Sequence, residues 1–145
     1  MFLETAKQLT LDDIRAIEIK LNIKLPKQLV KHYLKFNGGI PEKTFFCSDD
    51  SDIETSVHTF LPMKYKDEIG YTLEEGYLDF KNRKVIPEEF LPFAHDAGGN
   101  LFCINLESGE VVIIWLDIGE VNEKAIRWLA NDFDEFLNNL SEEDY

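Results

Sequence analysis

His95 and Asp96 stand next to each other and come nearest, in this chain, to a catalytic pair. An imidazole acts as a general base when a neighbouring carboxylate orients it. Adjacent side chains on a strand point to opposite faces, so these two are not expected to meet. No nucleophile, second base or phosphate-binding loop stands at a recognised spacing from them. The sequence therefore favours a protein that is not an enzyme, in which His95 is structural or exposed at a strand edge.

Carboxylates gather in a short segment that could bind calcium: Asp49, Asp50, Asp52 and Glu54. The segment begins like an EF-hand loop at residue 50, but that loop requires Gly at its sixth position and Glu at its twelfth. Thr55 and Leu61 occupy those positions. His32 and His58 have no further ligand at a metal-binding spacing. We therefore expect no metal and no cofactor, and interpret the segment as a solvated acidic loop.

The two cysteines, Cys47 and Cys103, follow apolar residues and form no Cys-x-x-Cys motif. This context favours buried free thiols in a reducing compartment. The first residues contain no apolar stretch like that of a secretion signal, and no run approaches the roughly 18 apolar residues that a membrane span needs. The protein is therefore expected in the cytoplasm and not at a membrane.

The charge balance is strongly acidic, with 15 basic residues, 28 acidic residues and a formal net charge of −13. Such a surface repels phosphate backbones and attracts cationic partners. Direct binding of nucleic acid is therefore disfavoured, although the acid could serve solubility alone. With 145 residues, of which 44% are hydrophobic, we expect one domain over residues 1–145. Residues 141–145 are expected to form a frayed acidic tail.

Two helices are predicted in the first forty residues. Thr10 can cap a helix whose apolar positions recur at near-helical spacing, and Asn22 suits its end. Pro26 fits the first position of a second helix. The sequence Asn37-Gly38-Gly39 predicts that this helix ends in a left-handed cap.

The middle of the chain is predicted to combine a hairpin with a short helix. Residues 44–47 and 57–61 have the pattern of strands that flank an acidic loop over residues 48–55. Thr72 and Glu75 stand at the spacing of a capping box, which predicts a helix over residues 73–81.

The second half predicts a meander followed by a helix. Residues 91–95, 101–106 and 111–116 are strand-like and are separated by short turns, so an antiparallel meander is expected. Apolar residues from Leu129 to Leu140 recur at helical spacing and predict a helix over about residues 130–140. The resulting fold class is α+β, with helices from both chain ends packed on a central antiparallel sheet.

Several of these segments together resemble the SUKH superfamily, which includes Smi/Knr-like fungal regulators and many bacterial immunity proteins. Residues 21–26, 33–34 and 37–39 are similar to its helix, Leu-Pro, helix, Asn-Gly-Gly signature. Residues 91–104 resemble its central hairpin, and residues 129–137 resemble its closing helix. The order and spacing of these pieces over one chain carry the resemblance, since each piece alone is common.

The resemblance implies a protein that works by contact and not by catalysis. Bacterial members are thought to bind and neutralise polymorphic toxin domains, commonly nucleases, whereas fungal members are regulatory or scaffolding modules. Both roles remain open at this point, and a small hydrolase that uses His95 is a third hypothesis. Asn100 departs from the family pattern, in which many members carry an acidic residue, and residues 48–89 match none of it. Specificity is therefore expected in that unmatched stretch.

Electrostatic steering suggests where a partner would bind. A nuclease toxin presents a basic cleft, which an acidic protein could reach quickly. Charge and expected exposure identify these candidate contacts: Asp49, Asp50, Asp52, Glu54, Asp67, Glu68, Glu74, Glu75, Asp96 and Asn100. Trp115 could anchor a partner, but its apolar neighbours favour the core. The expected partner is thus a basic toxin domain, and neither charge nor periodicity decides the oligomeric state.

Overall fold

Four helices and ten strands form the described part of the chain, which covers residues 2–48, 53–66, 70–116 and 125–142 in a computed structural model. The helices are α1 (Leu11–Leu21), α2 (Lys27–Lys35), α3 (Leu73–Asn82) and α4 (Phe133–Asn138). The strands are β1 (Phe2–Leu3), β2 (Ile40–Pro41), β3 (Phe45–Ser48), β4 (Ile53–Ser56), β5 (Thr59–Phe60), β6 (Phe90–His95), β7 (Leu101–Asn105), β8 (Val111–Ile114), β9 (Ile126–Ala130) and β10 (Leu140–Ser141). None of these helices combines the length and apolar character that crossing a bilayer requires.

The largest sheet contains five strands in the order β5-β6-β7-β8-β9, and every pair in it is antiparallel. β6, β7 and β8 form the predicted meander, which is therefore confirmed. Alternate residues of these strands enter two separate apolar clusters, as the period of two in a strand requires. On β7, Phe102 and Ile104 face the main core, whereas Leu101 and Cys103 face the smaller cluster.

All four helices contribute to the main core and thus cover one face of this sheet. α1 supplies Ile14 and Ile17, and α4 supplies Phe133 and Phe136. The opposite face is covered by the segment that links α3 to β6, through Ile86 and other apolar residues. The α+β class with helices packed on a central antiparallel sheet is confirmed.

The predicted acidic hairpin exists, but its second strand is β4 and not residues 57–61. Phe45 pairs with Ser56, and Ser48 pairs with Ile53, so the connection between the strands is shorter than expected. The N–H of Val57 closes this ladder by donating to the Thr44 carbonyl over 2.8 Å. The chain then crosses to β6, where β5 forms the edge of the large sheet.

The start of α1 follows its sequence signal, whereas the end of α2 does not. Thr10 accepts a hydrogen bond from the N–H of Asp13, and Asn22 ends α1 in the left-handed conformation. α2 ends one residue before Phe36, whose backbone is extended, so the predicted left-handed cap is wrong. The positive φ of Gly38 instead serves close packing, since a Cβ there would lie 2.8 Å from the backbone of Pro62.

The predicted closing helix is shortened at both ends by strands. Residues 126–130 form β9, and α4 begins only after Asp132, whose carboxylate accepts the N–H of Glu135 over 2.8 Å. Leu129 therefore reaches the main core from a strand. Ser141 pairs with Phe45, although the sequence placed it in a frayed tail. Residues 143–145 lie outside the described ranges.

Asn37 links three segments of the fold through its side chain, which is 2% exposed. Its Nδ2 atom donates to the carbonyls of Lys7 and Met63, both over 2.9 Å. Its Oδ1 atom accepts the N–H of Met63 over 2.7 Å. A buried amide is the side chain that satisfies two carbonyls and one N–H at once.

We expect Asn37→Ala to lower the free energy of unfolding by about 2–4 kcal/mol, since it leaves three backbone groups without their partner. Asn138→Ala is the matched control, because Asn138 is exposed on α4, and it should change stability by less than about 0.5 kcal/mol. Urea unfolding followed by tryptophan fluorescence measures both. Equal unfolding midpoints for the two variants would show that the Asn37 bonds are not needed.

His32 lies among aromatic rings, with centroid distances of 4.8 Å to Phe2 and 5.4 Å to Phe133. Its Nε2 atom has no hydrogen-bond partner among the described residues. Burial lowers the pKa of His32 from 6.5 to about 4, because the charged imidazolium loses its hydration. The folded protein therefore holds this ring neutral at mildly acidic pH.

The low pKa of His32 predicts a loss of stability between about pH 6.5 and pH 4. In this window the unfolded chain binds a proton at residue 32 that the folded protein excludes. The contribution of His32 to the free energy of unfolding is therefore complete above pH 6.5, and below it this contribution falls by up to about 1.4 kcal/mol per pH unit. Unfolding free energies of the wild type and His32→Phe, measured across this range, isolate the effect. Parallel pH profiles for the two proteins would contradict it.

Candidate partner-binding surface

The acidic hairpin is anchored on both sides of β3, which pairs with β4 and with β10. Glu54 is exposed on β4, directly opposite Cys47, which is also exposed. The expectation of a buried Cys47 is therefore wrong, because alternate residues of β3 point to opposite faces and the preceding Phe46 takes the buried one. Cys103 is buried as expected, and burial raises the pKa of its thiol. Three candidate contacts lie outside the described residues: Asp49, Asp50 and Asp52.

At the N-terminus of α3, two adjacent candidate contacts differ in exposure: Glu75 is exposed, whereas Glu74 is buried. The exposed Glu75 forms the predicted capping box with Thr72, whose N–H donates to the Glu75 carboxylate over 2.9 Å. That hydrogen bond, together with Lys66 at 3.7 Å, lowers the pKa of Glu75. Two further candidates, Asp67 and Glu68, lie outside the described residues.

Glu74 is buried, with 4% exposure, so the exposure that motivated its choice as a candidate contact is absent. One carboxylate oxygen accepts the N–H of Lys64 over 2.8 Å. The other has no hydrogen-bond partner among the described residues. The first turn of α3 faces the core at this position, where Leu73 is fully buried.

The turn between β6 and β7 is closed by the Asp96 carboxylate. Its Oδ1 atom accepts the N–H groups of Gly98 and Asn100 over 2.9 and 2.8 Å. The Asn100 amide donates to Asp96 Oδ2 over 3.1 Å and accepts the N–H of Leu116 over 2.9 Å. Asn100 is only 6% exposed, so the exposure that motivated its choice as a candidate contact is absent. Asp96 is half-buried and keeps a surface that a partner can reach.

His95 does not form a catalytic pair with Asp96. The Nδ1 atom of His95 lies 2.9 Å from the backbone carbonyl of Asp96, while the Asp96 carboxylate is engaged in the turn. The His95 ring stacks on that of His58, with centroids 5.5 Å apart. Among the described residues, no group of three His, Cys, Asp or Glu side chains is placed to hold a metal ion.

The structure brings only some of the candidates together. Asp96 and Asn100 are in direct contact. The acidic hairpin ends near the same turn, since the N–H of His58, two residues after β4, donates to the His95 carbonyl over 2.9 Å. No hydrogen bond or ion pair between described residues joins Glu54 or Glu75 to this turn. The described candidates that remain accessible are thus Glu54, Glu75 and Asp96.

Sequence reasoning missed a basic surface on the first two helices. On α1, two large apolar side chains, Ile19 and Leu11, are exposed by 81% and 55%. Lysines recur every four residues along α2, a spacing that places them on one helix face. That spacing is the signal that could have revealed this surface.

Asn100→Asp should destabilise the protein by about 1–3 kcal/mol at pH 7, because the donor that faces Asp96 becomes a second carboxylate. The two carboxylates repel each other when both are charged, so the loss of stability should be full at neutral pH and should shrink toward pH 4, where carboxylates begin to bind protons. Asn100→Ala adds no charge and should lose stability without this pH dependence. Thermal unfolding of both variants at the two pH values measures the difference, and matching pH profiles would refute it.

Comparison with known proteins identifies the family. The model of the SMI1/KNR4 family (SUKH-1) matches residues 8–139, and this confirms the resemblance found in the helices and the central hairpin. The chain is also similar to the SPbeta prophage-derived uncharacterized protein YokK of Bacillus subtilis strain 168. The two are 24% identical over 92% of this chain and 76% of that protein. The chain belongs to the SMI1/KNR4 family (SUKH-1).

Proposed function

We propose that this protein is an immunity protein that binds a cognate polymorphic toxin domain and neutralises it by direct contact, in the cytoplasm of the cell that produces it. Membership of the SMI1/KNR4 family supports this role, because bacterial members of the wider superfamily are thought to act in this way. The similarity to a prophage-derived protein supports a bacterial setting.

The net charge of −13 is the observation that carries the proposal. A charge of this size speeds the encounter with a basic protein, by ten-fold or more at low ionic strength. It also disfavours nucleic acid as the direct ligand. A basic toxin domain, such as a nuclease that presents a cationic cleft to its own substrate, is therefore the partner that fits best.

The acidic hairpin is the part of the surface best suited to meet such a cleft. Phe46 of β3 stacks on Phe136 of α4 with a centroid distance of 5.3 Å, and Leu140 pairs with it from the other side. These contacts hold the strands that carry Glu54 and lead into residues 49–52. Strands that are ordered before contact lose less entropy on association.

The role needs no catalytic residue in this chain. Asp96 holds the turn and not the imidazole of His95, so a general base is not assembled at that position. Occluding the toxin cleft is sufficient for neutralisation. His95→Ala should therefore protect cells as well as the wild type does.

Charge reversal in the hairpin should slow association with the cognate toxin domain by about 10- to 100-fold at low salt. The variant reverses four acids to lysine: Asp49, Asp50, Asp52 and Glu54. The control reverses four exposed acids elsewhere: Glu4, Glu42, Glu88 and Glu107. Stopped-flow association rates at two salt concentrations measure both variants. Equal slowing by the two sets would mean that net charge acts without a hairpin contact.

Protection of cells tests the function itself. Co-expression with the cognate toxin domain, which is to be sought among the neighbouring genes, should restore growth, and the two proteins should co-purify in a salt-sensitive complex. Failure to bind or protect against any toxin domain encoded nearby, together with recovery of an ordinary cellular protein from the native organism, would instead support a regulatory or scaffolding module.

A further inference from the structure

A groove of about 720 Å³ runs between α1 and α2, on a surface that the proposed toxin contacts do not include. Its floor is apolar and is formed by Leu11, Ile14, Leu25, Val30 and Leu34. Leu11 is 55% exposed, and Val30 and Leu34 are half-buried, so the groove presents apolar surface to solvent. Exposed apolar surface that is framed by polar residues is typical of a docking site.

The rim of this groove is basic, although the protein as a whole is acidic. Five cationic side chains line it: Arg15, Lys24, Lys27, Lys31 and Lys35. They are a third of the 15 basic residues in the chain, and all five are exposed. A third of the basic residues of a protein with a net charge of −13 therefore line this one apolar groove.

Few acids of this chain neutralise the rim. Arg15 approaches Asp12 at 3.9 Å, an exposed pair that contributes little. Glu18 is the one acid in the lining, and its carboxylate accepts the N–H of Leu25 over 2.8 Å. Among the described residues, no ion pair engages the four lysines of the groove. Their charge remains available to a ligand.

We propose that the α1–α2 groove docks an acidic amphipathic segment of a protein partner, with apolar anchors in the floor and carboxylates against the lysine rim. α1 has 11 residues and is about 16 Å long, which matches two to three turns of a bound helix. This site is additional to the proposed toxin contact, because it binds an acidic segment whereas the toxin contact binds a basic domain.

Nucleic acid fits this groove less well than an acidic peptide does. A phosphate backbone uses cations but offers no anchors for an apolar floor, and beyond the groove it meets the acidic remainder of the surface. A second copy of this chain would bring its own net charge of −13 against the same surplus on the first copy. An acidic segment with spaced apolar residues satisfies both the floor and the rim.

The probe is a fluorescein-labelled synthetic helix of about 14 residues, with Leu and Phe at i, i+3, i+4 and i+7 and Glu at most other positions. Fluorescence anisotropy should give saturable binding that weakens with salt. Amide chemical-shift changes in the wild-type protein should map to α1 and α2. The same peptide with Lys in place of Glu, and one with Ser in place of the anchors, should bind at least about ten-fold more weakly.

Lys27→Glu combined with Lys31→Glu should raise the dissociation constant of the acidic peptide by at least about ten-fold. Lys43→Glu combined with Lys84→Glu is the matched control, since both lysines are exposed outside the groove, and it should leave binding nearly unchanged. The hairpin variant with reversed acids should still bind the peptide. If the wild-type protein binds the acidic peptide but no toxin domain, the proposed function is overturned and this site stands.

Four results would overturn the proposal. The first is no peptide binding at millimolar concentration, and the second is shift changes that map away from α1 and α2. The third is tighter binding of a single-stranded oligonucleotide than of the acidic peptide. The fourth is a dimer of the wild-type protein in sedimentation experiments that is absent when Lys27→Glu is combined with Lys31→Glu. A second copy of the chain, and not an acidic peptide, would then occupy the groove.

Discussion

Burial of both faces of the β6-β7-β8 meander is the constraint on which the rest of this structure depends. Because alternate residues such as Phe102 and Cys103 enter different apolar clusters, each face needs its own cover. The four helices cover one face, and the segment between α3 and β6 covers the other. A sheet enclosed in this way leaves its turns, the acidic hairpin of the separate small sheet and the outer faces of the helices for contact with partners.

These remaining surfaces differ in charge. Glu54 lies on the hairpin and Asp96 on a turn, whereas Lys27 and Lys31 line the groove on the helical side. Opposite charges that lie apart on one small protein favour partners of different chemistry at each place. Salt weakens both kinds of contact, since exposed charges are screened beyond about 10 Å at 0.1 M ionic strength. Net charge alone therefore describes only the acidic part of this surface.

Local signals in the sequence predicted those elements that local interactions stabilise. Thr72 and Glu75 form their capping box because both partners lie within one turn. The closing helix was predicted too long because Leu129 fits a helical stripe and a buried strand equally well. Only pairing of β9 with β8, across residues distant in sequence, decides between them. The left-handed cap of α2 was wrongly predicted for a similar reason, since the positive φ of Gly38 accommodates Pro62 from another segment.

The candidate contacts were harder to predict than the fold, because residue type does not determine exposure. Glu74 and Glu75 are adjacent and chemically alike, yet the helix turns one into the core and the other to solvent. The position of Asn100 in a Gly-Gly turn predicted an exposed contact residue. Its amide instead hydrogen-bonds to Asp96 and to Leu116, which follows β8. In such turns a polar side chain that hydrogen-bonds to the backbone is not free to bind a partner, since a partner could bind it only by breaking those bonds. Polar residues without such internal bonds are therefore the better guide to a binding surface, and the lysines of the α1–α2 groove meet that criterion.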